Sequence, residues 1–208
     1  MASKVKTSNR AEKAKETKEK IYKSAEQLFS KYAFDDITIN SIVELAGVAK
    51  GSFYVHFDSK DALIASFISD YVKKVDADYK TYLESFPADA LASDILVLMV
   101  EKIAGVIMDS IGYDSMKTLY KVLLVEDINT EAVVSYNRDL YNIFANIITN
   151  GIEQGEFCPE SSVDSLTKYF VMAFRGLTYE WCIRYPDFDL KKETVQYYRI
   201  LITGIKNK

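Results

Sequence analysis

Lys50, Ser52, Tyr54, His56 and Lys60 crowd hydrogen-bond donors into one short stretch, KGSFYVHFDSK. Two ammonium groups, the hydroxyls of Ser52 and Tyr54 and an imidazole in such a run suit a partner rich in acceptor oxygens, above all a nucleic-acid backbone and the base edges in its grooves. Lys50 can donate to guanine or phosphate, Ser52 and Tyr54 to phosphate. Lys60 stands at the start of a further helix, where free amides and the helix dipole favour an anion. His56 is the chain's one histidine; its place suggests a phosphate contact, beside the plainer role of a surface or capping residue. Gly51 supplies no donor and costs a helix about 1 kcal/mol relative to Ala. A helix that tolerates it there is one whose backbone something approaches closely.

The surrounding residues predict how that stretch is held. Thr38 is a good N-cap for a helix carrying Ile39, Ile42, Val43 and Leu45 towards a core. Gly47 can take the left-handed conformation of a sharp reversal, and Val48 plugs the gap between two helices. The second helix runs from Ala49 to about Val55, with Phe53 and, just beyond, Phe57 as core residues. Two short helices joined by Ala46-Gly47-Val48, with a third beginning near Lys60, have the local pattern of a helix-turn-helix, whose second helix can enter a DNA major groove.

Charge and periodicity frame this unit. The first 24 residues hold eight bases against three acids, the first 60 net +3, and the remaining 148 net −7. A basic front on an acidic body suits a molecule that meets phosphate with one end. Almost every segment has helical period and none alternates as a strand does, so the chain reads as all-α. Helices are predicted over about 12–32, from 58 or 59 towards 86, and over 89–111, 114–128, 131–154, 163–185 and 190–206. Apolar stripes include Ile21, Ala25, Leu28, Phe29 and Tyr32 on the first of these. Gly112 and Gly155 fall where C-terminal caps are expected, and the three prolines lie between helices. The domain boundary is expected at Lys60, giving a helix-turn-helix domain over 12–60 and a larger helical domain over 61–208.

These residues resemble, closely, the TetR family of transcriptional regulators. The resemblance covers Ile21 to about Leu63 in detail: AEQLF, the threonine opening the second helix, the AGVAKGSFYVHF core and the FDSKDAL start of the fourth helix. Beyond that it extends only to architecture. It implies a dimeric regulator with a three-helix DNA-binding domain and a helical ligand-binding and dimerising body. By position it gives Thr38, Lys50, Gly51, Ser52, Tyr54, His56 and Lys60 operator-contact roles. Two departures stand out. Ala49 occupies a place where the family often has Ser or Thr, and Ser41 replaces an acidic residue, so both caps of the reading head are expected to be weak.

In the body, Tyr113, Tyr120, Glu126, Arg138, Tyr141, Phe144 and Arg175 are candidates for a pocket taking a small, largely apolar or aromatic ligand. Arg175, among Phe170, Ala173, Phe174 and Leu177, needs a partner if buried; Glu180, Glu126 or an acidic ligand could serve, a protein salt bridge being the plainer expectation. Tyr169, Ala173, Gly176 and Glu180 form one face with small residues, and Val195, Tyr198, Ile202 and Ile205 an apolar seam on the last helix. Paired with a second copy these would make a four-helix bundle. Reading two successive grooves requires such a homodimer on double-stranded operator DNA, with half-sites about 34 Å or somewhat more apart.

Other classes find little support. There is no Gly-rich phosphate loop and no metal-ligand cluster, and Cys158 and Cys182 match no metal or redox spacing. No cofactor is expected, and enzymatic catalysis would have to recruit His56. A helical ligand carrier or interaction module without DNA binding is the alternative, and the intact run Lys50 to Tyr54 argues against it. The N-terminus lacks an apolar signal region and no apolar run approaches the roughly 20 residues of a membrane span, so a cytoplasmic repressor, released by ligand, is the expectation.

Overall fold

The computed structural model describes residues 2–29, 31–32, 36–124, 129–158 and 162–207. The elements are α1 (Ala2–Phe29), α2 (Ile39–Ala46), α3 (Lys50–Tyr54), α4 (Lys60–Glu84), α5 (Ala92–Val106), which continues as a π-helical turn over Ile107–Ile111, α6 (Tyr113–Leu123), α7 (Glu131–Val134), α8 (Asp139–Glu153), α9 (Val163–Arg184) and α10 (Leu190–Ile205). Among the described residues there is no strand; Phe157 and Lys206 form one isolated bridge. The chain is all-α.

It divides into two compact units, the first reaching to Phe67 and the second formed mainly from Ile68 onward. The division lies inside α4, a little past the expected Lys60, because Leu63 and Phe67 still pack on the first unit's core. That core is Ile21, Ala25, Ile37, Ile42, Val43, Phe53, Phe57 and Leu63. α1 begins far earlier than the predicted residue 12 and stops at Phe29. Tyr32, expected on its apolar stripe, therefore falls outside the helix and is exposed, as is Leu45 on α2.

The second unit packs α5 against α8 and α10, and α9 against α8, α10 and α6. Leu96, Met99, Phe144, Ile147, Ile148, Phe157 and Tyr198 are wholly buried there. Gly151 permits one close approach: a Cβ on it would meet the Phe157 ring and lie 2.8 Å from the Ala92 Cβ. The carboxylate of Glu156 accepts from the Ser93 N–H at 3.2 Å, supplying from a distance the cap that Leu91 cannot give α5.

One predicted helix is two. The span 131–154 breaks after Val134 and resumes at Asp139. The cause lies far away in sequence. Asp76, on α4, accepts from Arg138 Nε at 2.8 Å and Nη2 at 2.6 Å, and from the Leu140 N–H at 3.4 Å. A carboxylate at the first turn of α8 satisfies an otherwise open amide and complements the helix dipole. It also draws Arg138 into an extended conformation that ends the preceding turn.

Candidate functional site

The reading stretch is built on α2 and α3. Thr38 Oγ1 accepts from the Ser41 N–H at 3.1 Å, and Ser41 Oγ accepts from the Thr38 N–H at 3.0 Å. The capping box expected to be weak is thus complete, with a serine hydroxyl doing what an acid does in longer form. Its hydroxyl also donates to the Thr38 carbonyl at 2.8 Å. Gly47 closes α2 in the left-handed region at φ 64°, and the Gly47 and Val48 amides recapture the carbonyls of Glu44 and Val43. α3 follows with no side-chain cap, since Ala49 has no hydroxyl.

α3 has five residues, too few to hold a helix in water. Phe53 anchors it: the ring is fully buried, edge-on to Tyr54 and 5.7 Å from Phe57. With Phe53 inward, Lys50, Gly51 and Tyr54 are exposed and Ser52 is half-buried. Nothing lies within 4 Å of where a Gly51 Cβ would sit, and its backbone is ordinary helix, without positive φ. Neither packing nor conformation within the fold asks for glycine here.

Thr38 is exposed at its cap and His56 is half-buried. Lys60 differs from the expectation of a donor aimed outward: its Nζ donates to the Ile37 carbonyl at 2.9 Å, fastening the start of α4 to the loop before α2. Lys18, on α1, lies 5.5 Å from the Phe57 ring centroid, which puts a further lysine beside the end of the reading stretch. Sequence reasoning had only its charge to go on.

In the second unit the proposed pocket residues do not all meet. Tyr120 Oη donates to the Arg175 carbonyl at 2.8 Å, and burial pushes its pKa up. The Arg175 guanidinium lies 5.8 Å from the Tyr141 ring centroid and donates to the Val133 carbonyl at 2.8 Å. Glu180, the suggested partner of Arg175, pairs instead with Arg184 one turn on, so a carbonyl and a ring take the place of that expected salt bridge. Glu126 lies outside the described residues. Arg138 is committed to Asp76, whose side chain is 2 % exposed. Phe144 is core, and Tyr113 stands apart, stacked on Tyr185 and edge-on to Trp181. Tyr120, Arg138, Tyr141 and Arg175 are the members that come together.

The seam read on α10 is rotated in the structure. Tyr198 and Ile202 face the protomer's own core, Tyr198 donating to the Phe170 carbonyl. The four-residue spacing marks a buried stripe but cannot say which partner buries it. Val195 and Ile205 are half-buried. The outward residues are Tyr197 and Ile200 on α10, with Tyr169, Met172, Tyr179 and Ile183 on α9. Between them Tyr169, Ala173, Gly176 and Glu180 line an open groove of about 500 Å³ with Met172, Leu177, Tyr197 and Leu201.

Among the described residues no His, Cys, Asp or Glu group could hold a metal ion, and no helix is long and apolar enough to cross a membrane. Removing one partner of the buried pair should be costly. Asp76→Asn or Arg138→Met is expected to lower unfolding stability by about 3–5 kcal/mol in urea titrations. The double variant Asp76→Leu with Arg138→Met should recover much of that loss, and two single losses that simply add would contradict the pairing.

Comparison with known proteins points one way. Residues 21–67 match the family described as bacterial regulatory proteins, tetR family. The HTH-type transcriptional regulator EthR of Mycolicibacterium smegmatis is 32% identical over 69 residues, 33% of this chain. That stretch spans only 32% of EthR's own length. The HTH-type transcriptional repressor KstR2 of the same organism is 22% identical over 197 residues, covering 90% of each chain. Among solved structures, FadR of Bacillus subtilis in complex with stearoyl-CoA superposes with a TM-score of 0.72 at 18% identity, over 89% of this chain and 98% of that one. The last likeness is one of fold.

Proposed function

We propose that this chain, a TetR-family DNA-binding transcriptional regulator, is a homodimeric cytoplasmic repressor, released from a palindromic operator by a small, largely apolar ligand. KstR2's designation as a repressor supports the repressor part, and the stearoyl-CoA bound in B. subtilis FadR supports a ligand with an apolar chain as one part of it. The observation that carries the DNA part is the outward face of α3. Lys50 and Tyr54 are exposed there around a glycine for which the fold itself has no use. An approaching base edge or phosphate supplies the use. Lys50 serves as donor to guanine or phosphate, Tyr54 and Ser52 to phosphate, with Thr38, His56 and Lys60 at the margins.

α4 belongs to both units. A ligand that favours one tilt of its second half changes the spacing of two α3 helices in a dimer. Operator binds one spacing better and ligand the other, and the coupling is no larger than that difference. The groove between α9 and α10, with its exposed Tyr169, Met172 and Tyr197, is the face on which a second copy would pack.

Two measurements test this reading. Gly51→Ala should raise the stability of the free protein by up to about 1 kcal/mol while weakening operator affinity about tenfold or more, near 1.4 kcal/mol. Operator affinity that is unchanged would remove the argument from Gly51. Met172→Glu, at a residue 56% exposed in the protomer, should leave the melting transition of the fold in place yet shift sedimentation from two chains to one. A dimer that survives it would move the interface elsewhere.

A further inference from the structure

Tyr141 sits on α8 only 4% exposed, and its hydroxyl has no hydrogen-bond partner. Such an orphan is uncommon, because a buried hydroxyl without a partner loses its hydration for nothing. The charges around it share one sign. Arg175 lies over its ring, and Lys168 Nζ lies 4.8 Å from the centroid of Tyr136, whose ring meets Tyr141 edge-on at 5.2 Å. Arg138 is a further cation whose field reaches the hydroxyl. Arg138 is neutralised by Asp76, and Lys168 by the exposed Asp164 at 2.7 Å. Arg175, half-buried, has among the described residues a neutral carbonyl and a ring but no carboxylate. Among the described residues, one cation is thus left without a carboxylate next to one unsatisfied O–H donor.

We propose that Tyr141 and Arg175, with Lys168 at the rim, receive the anionic head group of the ligand, so that the effector is an amphiphile with an acidic end rather than a purely apolar molecule. The Tyr141 hydroxyl and an Arg175 N–H donate to the same oxyanion, which gives both the partner they lack. Tyr136, exposed at the α7–α8 turn with its edge on Tyr141, covers the place the head group takes. The inference rests on the reading of this unit as ligand-binding and adds the charge of what it binds.

Calorimetry on the full chain with dodecanoate, dodecan-1-ol and lauroyl-CoA separates the possibilities, with ligand-free operator affinity measured alongside. Dodecanoate or lauroyl-CoA is expected to bind about tenfold or more tighter than the alcohol. Binding confined to the CoA ester would identify its phosphates as the anion. Tyr141→Phe and Arg175→Gln should bring acid and alcohol to within about threefold while the alcohol binds as before. Equal binding of acid and alcohol to the natural chain overturns the proposal. So does an acid preference that survives both substitutions, since a trapped water would then satisfy the hydroxyl, and so does binding of none of the three. If operator affinity persists in these cases, only the head-group site fails; if it is absent from the outset, the regulatory reading fails with it.

Discussion

Phe53 is the side chain on which the working surface depends. A five-residue helix with an uncapped start and a glycine second in line has every local reason not to form. It forms because one ring is buried in a pocket made by Ile21 and Ala25 from α1, Ile42 and Val43 from α2, and Phe57 and Leu63 beyond. Burying that ring fixes the rotation of the helix, and the rotation sends Lys50, Gly51 and Tyr54 outward. The reading face is therefore a consequence of the core: tertiary packing sustains a segment that propensity alone would leave as a loop.

The second unit solves a different problem with buried polar groups. Asp76 brings Arg138 and the first turn of α8 to α4. Tyr198 ties α10 to α9 through the Phe170 carbonyl, and Glu156 caps α5 from the segment after α8. Each is a polar contact between segments distant in sequence, made at a buried or partly buried site. Such contacts fix register more than they add stability. The Thr167 and Thr194 hydroxyls are also buried without a partner, but only the Tyr141 hydroxyl is left so beside a guanidinium, that of Arg175, and that pairing is what marks the place for something else.

How far the sequence could be read followed the range of the interactions involved. The turn at Gly47 and most helices rest on neighbours within a few residues, and Phe53 and Phe57 are legible as core by residue type, although what buries them lies on α1 and α2. What escaped was set from afar. The break between α7 and α8 needs Asp76, some sixty residues earlier. Tyr198 and Ile202 looked like an interface because an apolar stripe has the same spacing whether its own protomer or a partner buries it. Ser41 hid a capping box because the usual signature is an acid, while a hydroxyl of the right reach satisfies the same amide. The bond from Lys60 to the Ile37 carbonyl likewise joins residues far apart in the chain.

The central claim is that two copies present α3 in register with successive turns of a duplex. Selection of full-length protein against a random duplex library, followed by sequencing of the retained strands, tests it most directly. The account predicts enrichment of a palindrome whose half-sites lie about 10 base pairs apart, or a multiple of that, bound by two copies or a multiple of two. Retained sequences without two-fold symmetry, or no enrichment above the starting pool, would contradict it.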